Sequence, residues 1–119
     1  MAGPLDGMSV LDMTQYVAGP FCTMLLGDMG AEVIKIEIPG RGDVYRKQGP
    51  HFIEGVATSF LSVNRNKKSL TLNLKDARGL EIARQLAAEV DVVVENFKPG
   101  TAERLGVGYD DLRALNPRL

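Results

Sequence analysis

The sequence predicts an α/β fold: a mostly parallel sheet with helices on both faces. Strand-like and helix-like runs alternate along most of the chain, and the consecutive valines Val92, Val93 and Val94 read as a strand buried on both faces. The 119 residues, 45% hydrophobic and 24% charged, fit one globular domain with one core.

Residues 9–13 read as a short buried strand, and residues 14–19 as a loop of small residues. Pro20 suits the first position of a helix, because its fixed φ fits there and its missing N–H is not needed. Phe21, Met24, Leu25 and Met29 recur at helical spacing, and Gly30 is placed to end that helix in the left-handed region. Residues 31–38 predict a second strand, with Ile34 and Ile36 on one face and Lys35 and Glu37 on the other. Residues 39–58 carry glycines, a proline, mixed charges and the single histidine, His51, and read as a long irregular loop of the kind that often serves function.

Residues 69–74 alternate, placing Leu70, Leu72 and Leu74 on one face of a strand that ends at Lys75. Asp76 is a natural N-cap for a helix running to Glu89, whose apolar face is Leu80, Ala83, Leu86, Ala87 and Val90. Residues 91–95 are the valine strand. Two short helices follow, over 101–105 and 109–115, and Asn116-Pro117 stops the second. The sequence ends where a further strand is expected, which reads as an incomplete domain.

In such sheets ligands bind beyond the carboxyl ends of the strands. Three segments fall there: residues 14–19, the loop after Ile38, and residues 96–100. Asn96, Phe97 and Lys98 put an amide, a ring and a cation in succession, able to hydrogen-bond, to pack on a base and to pair with a phosphate. A Pro99-Gly100 turn accounts for part of the same motif with no ligand. The helix start at Gly19-Pro20 is anion-friendly, but no GxGxxG follows the strand, so an ordinary turn is the simpler reading. Arg65, Lys67 and Lys68 read as a phosphate site or, more simply, as a solvated edge.

Composition excludes little else. Fourteen Lys and Arg against fifteen Asp and Glu give a net charge of -1, no general drive toward nucleic acid or an anionic membrane. The single cysteine, Cys22, reads as a buried small hydrophobe; it offers no internal disulfide and no metal site, and it suits a cytoplasmic setting. No secretory leader and no run of about 20 apolar residues is visible. Spacing alone pairs no acid with a base and yields no reaction.

Several motifs, in order, resemble the start of the family III CoA-transferases, a group that includes formyl-CoA transferase and carnitine CoA-transferase. They are Pro4-Leu5-Asp6-Gly7, Val10-Leu11-Asp12, Gly19-Pro20, the run from Gly30 through Glu37, Pro39-Gly40, Gly42-Asp43, the run from Asn64 through Ser69, Val94-Glu95-Asn96-Phe97, Pro99-Gly100 and Asn116-Pro117-Arg118-Leu119. The resemblance covers essentially the whole chain. It implies that residues 1–119 are the N-terminal part of a large, Rossmann-like domain, in a protein that moves CoA from an acyl-CoA to a carboxylic acid.

It implies further that an aspartate attacks the thioester and forms aspartyl intermediates, and that this aspartate lies beyond Leu119, so that no catalytic residue is expected within the chain. Coenzyme A and acyl-CoA enter as substrates, with no permanently bound cofactor or metal, and the full-length protein is an interlocked homodimer. By motif position the CoA contacts fall on Val17 and Ala18, on Leu72, Asn73, Leu74 and Lys75, and on Asn96, Phe97, Lys98 and Arg104. Lys75, Lys98 and Arg104 are the phosphate candidates. Formyl-CoA transferase has a glutamine in the place of Val17 and an arginine in the place of Ile38, two departures that argue against its substrate specificity. The α-methylacyl-CoA racemases share the N-terminal pattern but typically lack the longer loop found here between Gly42 and Asn64. A non-catalytic nucleotide-binding module is the remaining alternative.

Overall fold

A computed structural model describes residues 2–119. Four parallel strands form the sheet: β1 (Ser9–Asp12), β2 (Glu32–Glu37), β5 (Lys67–Thr71) and β6 (Val92–Val94), in the spatial order β5-β2-β1-β6. Helix α1 (Ala18–Asp28) connects β1 to β2, and α3 (Ala77–Glu89) connects β5 to β6. The two helices cover opposite faces. Val10 and Val33 pack toward Leu26 of α1, whereas Leu11, Ile36 and Leu72 pack with Ala83, Ala87 and Val90 on the α3 side. The alternation read in β2 therefore holds, with Ile34 and Ile36 facing α3. Two short helices, α4 (Thr101–Leu105) and α5 (Tyr109–Leu115), complete the α3-side core through Ala102, Val107 and Leu112.

Helix α3 starts where its cap residue dictates. The Asp76 carboxylate accepts from the amides of Arg78 at 2.9 Å and Gly79 at 3.4 Å, satisfying two of the orphan donors of the first turn. Helix α1 starts two residues before the predicted position. Its first i-to-i−4 bond runs from Phe21 N to Val17 O at 2.8 Å. Pro20 is the third helical residue, still within the turn whose N–H groups lack partners, so proline costs nothing there.

Other expectations need correction. Residues 39–58 are not irregular throughout: they contain a 3-10 helix (Val44–Lys47) and a small hairpin, β3 (Phe52–Ile53) with β4 (Val56–Ala57), which leads into α2 (Thr58–Leu61). The strand expected over 69–74 is displaced to Lys67–Thr71. Leu72 and Leu74 still face the α3 core although the ladder has ended, so leucine alternation outlasts the strand. The valine strand packs on both faces, Val93 on the α3 side and Val92 and Val94 on the α1 side, but it is only partly buried. It pairs only with β1, lies at the sheet edge, and its three residues are half-buried. Cys22 is exposed on the outer side of α1 rather than buried.

The basic run is a solvated edge at Arg65 and Lys68, which are exposed in surface ion pairs, but not at Lys67. Arg65 pairs with Asp28 at 2.6 Å, Lys68 pairs with Glu32, and Lys67 is buried against Asp12 at 3.0 Å. Among the described residues, no helix is long and apolar enough to cross a membrane.

Candidate functional site

The sheet order places β2 and β5 on one side of β1 and β6 on the other. The order in which successive strands are added therefore reverses between β1 and β6, and the loops after these parallel strands diverge to leave a crevice, the usual ligand position in an open parallel sheet. A cleft of about 180 Å³ opens there. Its floor is apolar, from Met13, Ile36, Leu72 and Phe97, and its rim carries Gln15, Arg41, Asn73 and Lys75. A second depression, holding Tyr16, Val44, Asn96 and Lys98, adjoins it through Gln15 and Phe97. A third, bearing Asp76 and Arg104, adjoins it through Leu74, Lys75 and Leu105.

Eight of the ten residues expected to contact CoA thus line one continuous surface: Leu72, Asn73, Leu74, Lys75, Asn96, Phe97, Lys98 and Arg104. Val17 and Ala18 do not line it. Both are exposed at the start of α1, directly after Tyr16. Two polar residues of the main cleft, Gln15 and Arg41, are not among those singled out from sequence. Both lie in loops that the sequence places at the carboxyl ends of the strands, but a polar residue in a loop carries no periodic signal to single it out.

Local geometry fixes the walls. The 72–75 segment lies against α3, where Asn73 Oδ1 accepts from Lys75 N at 3.0 Å. Gly79 permits this approach: a Cβ there would stand 2.2 Å from the Asn73 carbonyl oxygen. Asn96 serves as a strut as well as a lining residue. Its Oδ1 accepts from Gln15 N at 3.0 Å and its Nδ2 donates to Gln15 O at 2.8 Å, so one amide joins the loops after β1 and β6. Glu95 accepts from Phe97 N at 2.7 Å and holds the backbone beneath the ring.

Beneath the loop after β1 lies a buried ionic cluster on the α1 face. Asp12 is fully buried, and its carboxylate accepts from Thr14 Oγ1 at 2.5 Å, Thr23 Oγ1 at 2.7 Å and Lys67 Nζ at 3.0 Å. Burial alone would raise the Asp12 pKa; the Lys35 charge, the Thr14 bond, Lys67 and Thr23 outweigh it and hold the carboxyl below its ordinary value. Burial also depresses the Lys67 ammonium, against the attraction of Asp12. Its three oxygen acceptors, Asp12 Oδ2, Pro20 O at 2.9 Å and Asn64 Oδ1 at 2.8 Å, favour the cation.

Glu37 receives both Arg46 Nε and Nη2 at 2.6 Å, together with Ser69 Oγ at 2.8 Å and Asp43 N at 2.9 Å. Burial opposes its charge, but these donors bring its pKa down to about 2. The guanidinium of Arg46 in turn covers the Phe60 ring at 3.9 Å, tying α2 to the sheet.

Around the clefts the carboxylates are thus committed. Asp12 and Glu37 are buried in ion pairs, and Asp76, the one carboxylate that lines the surface itself, caps α3. The surface presents cations, amides and apolar groups. It can hold an anionic ligand with a flat apolar part, and Asp76 accepts from two amides of the first turn of α3.

Comparison with known proteins places this chain in a family. Residues 5–119 match the model of CoA-transferase family III. The chain is 53% identical over 116 residues to a mouse succinyl-CoA:glutarate CoA-transferase, covering 98% of this chain and 27% of that protein. It is 46% identical over 117 residues to an acetyl-CoA:oxalate CoA-transferase of Acetobacter aceti, covering 98% of this chain and 30% of that one. The chain therefore spans less than a third of the length of these curated relatives. A crystal structure of a CAIB/BAIF family protein from Brucella suis superposes with a TM-score of 0.93 at 42% identity, over 100% of this chain and 32% of that one. A Mycobacterium tuberculosis protein gives 0.90 at 50% identity, over 99% and 33%. A β-ketoacyl-ACP reductase chain, 16% identical with a TM-score of 0.52 over 94% of this chain and 48% of that one, shares the fold alone. The chain belongs to CoA-transferase family III.

Proposed function

We propose that these 119 residues are the N-terminal, CoA-binding part of the large domain of an enzyme that transfers CoA from an acyl-CoA to a carboxylic acid. The observation that carries this reading is the continuous surface at the crevice between β1 and β6, where an apolar floor meets Arg41, Lys75, Lys98 and Arg104. CoA asks for those groups together: an apolar slot for adenine, cations for its phosphates, and amides for its linker. The relatives named above are CoA-transferases acting on dicarboxylic acids or their CoA esters, which favours a dicarboxylate acceptor.

In this reading the chain binds and orients. Met13, Ile36, Leu72 and Phe97 take the adenine; Lys75, Lys98 and Arg104 take phosphate oxygens; and Arg41 supplies a cation near Ile38, where the formyl-CoA transferase pattern has arginine. Val17 and Ala18 face the thioester end from the start of α1. The attacking carboxylate comes from beyond residue 119 and forms the aspartyl intermediates, in keeping with the commitment of Asp12, Glu37 and Asp76 to structural bonds. The one-sided pairing of β6 fits a sheet that continues in a longer polypeptide, and that polypeptide acts as a homodimer in the cytoplasm.

The test is a CoA-exchange assay on the whole polypeptide carrying this sequence, with succinyl-CoA and a panel of dicarboxylates. Transfer of CoA to an added acid supports the reading. Exchange of the α-hydrogen of a 2-methylacyl-CoA without CoA transfer would replace it with a racemase.

A further inference from the structure

We infer that Asp43 is a positioning residue: its buried carboxylate locks together the two walls of the cleft, the loop of residues 14–16 and the turn of residues 38–42. Asp43 Oδ1 accepts from Tyr16 N at 3.2 Å on the first wall and from Tyr45 N at 2.9 Å at the start of the 3-10 helix. Its Oδ2 has no hydrogen-bond donor aligned on it, and is balanced by the Lys35 ammonium at 2.9 Å. That ammonium also donates to Thr14 O at 2.8 Å. Lys35 and Asp43 are 2% and 0% exposed, so the pair is shielded from water and salt.

Each residue of the first wall is held from a different direction. Lys35 holds Thr14, Asn96 holds both backbone groups of Gln15, and Asp43 holds Tyr16. Tyr16 needs a restraint, because its φ of 67° is left-handed and unfavourable for a residue with a side chain. On the second wall Gly42 N donates to Ile38 O at 2.9 Å, closing a turn that carries Ile38 and Arg41 into the cleft. Gly42 has a φ of 67°, and a Cβ there would stand 2.4 Å from Glu37 Oε2. Asp43 follows that glycine directly and bonds across to Tyr16, so Gln15 and Arg41 keep a fixed relation over the cleft.

A plain cap of the 3-10 helix would need only the bond to Tyr45. The bond to Tyr16 is what makes Asp43 a coupler, and it is separately measurable. That the coupled cleft holds CoA rests on the function proposed above; the coupling itself does not. The experiment uses the whole polypeptide, with Asp43→Asn and Asp43→Ala each combined with Lys35→Met, so that no lysine is left buried and unpaired. Asparagine keeps an acceptor for both amides and alanine removes it. Amide hydrogen exchange is first read without ligand.

The expected result is that the asparagine variant keeps protection at Tyr16 and Tyr45, and that the alanine variant loses it by about tenfold or more at both. Calorimetry should then find CoA binding about tenfold weaker in the alanine variant than in the asparagine one. Unchanged protection of Tyr16 in the alanine variant, or equal exchange in the two variants, would overturn the inference. If the alanine variant does not fold, Tyr16→Gly decides. Glycine relieves the left-handed strain that the Asp43 bond restrains, so adding Tyr16→Gly must restore folding to the alanine variant; an alanine variant that stays unfolded with it overturns the inference. Failure of the unaltered protein to bind CoA would refute the ligand and leave the exchange result to decide the coupling.

Discussion

Replacing Glu37 with glutamine removes the charge that organises the segment between β2 and β5. In the folded chain Glu37 is 4% exposed and is held at a pKa of about 2, against an ordinary value of 4.5. Burial works against the carboxylate; the paired bonds from Arg46, the Asp43 amide, the Ser69 hydroxyl and the Arg46 charge overcome it. A shift from 4.5 to about 2 corresponds to about 3 kcal/mol of stability, at ~1.4 kcal/mol for each pH unit. Because the folded value lies below the unfolded one, this stability is fully present above pH 4.5 and is lost as the pH falls through 2. The assay is urea denaturation of the protein and of Glu37→Gln at a series of pH values from 7 to 2. The stability gap between them should be largest at neutral pH and should narrow by about 3 kcal/mol on acidification. Other carboxylates titrate in both proteins and largely cancel. A gap that does not change with pH would refute the reasoning, since it would mean that Glu37 acts through shape rather than charge.

Three further outcomes follow from the same geometry. Gly79→Ala drives a Cβ toward the Asn73 carbonyl oxygen, 2.2 Å away, so the turn bearing Lys75 must shift; denaturation should record a loss of roughly 1–3 kcal/mol. Lys67→Met takes one cation from the buried Asp12 and strips donors from Pro20 O and Asn64 Oδ1; the expected loss is about 3 kcal/mol in the same assay. Lys75→Ala and Lys98→Ala should leave thermal unfolding unchanged, since both side chains are exposed, yet each should weaken CoA binding roughly tenfold and flatten its salt dependence when measured by calorimetry.

The sequence was most informative where one residue settles its own surroundings. Asp76 caps α3 and the helical spacing of Ala83, Ala87 and Val90 builds its buried face, so that helix was legible to within a residue. The short helices over 101–105 and 109–115 were legible for similar reasons, between Gly100, Gly106 and Asn116. Pattern misled where tertiary partners decide. Leucine alternation ran past the end of β5, because Leu72 and Leu74 pack on α3 with no ladder beneath them. Three valines suggested full burial, whereas β6 packs on both faces but, with one neighbour in the sheet, leaves its residues half-buried.

The charged residues were the least readable. Lys35, Glu37 and Lys67 look like surface groups in sequence, and each is buried because a partner arrives from a distant segment: Asp43, Arg46 and Asp12. For the site, the chemistry of Asn96-Phe97-Lys98 and of Lys75 could be read in advance. That Asn96 spends its amide on Gln15, and that Gln15 and Arg41 flank the same cleft, depends on two loops converging and has no local signature.

The most direct test of the central claim is a hydrogen-exchange footprint of CoA on the whole polypeptide. Saturating CoA should slow exchange at Asn73, Leu74 and Lys75 and at Phe97 and Lys98, and leave the hairpin of β3 and β4 unchanged. Protection confined to residues outside the crevice between β1 and β6, or none at all, would contradict that claim.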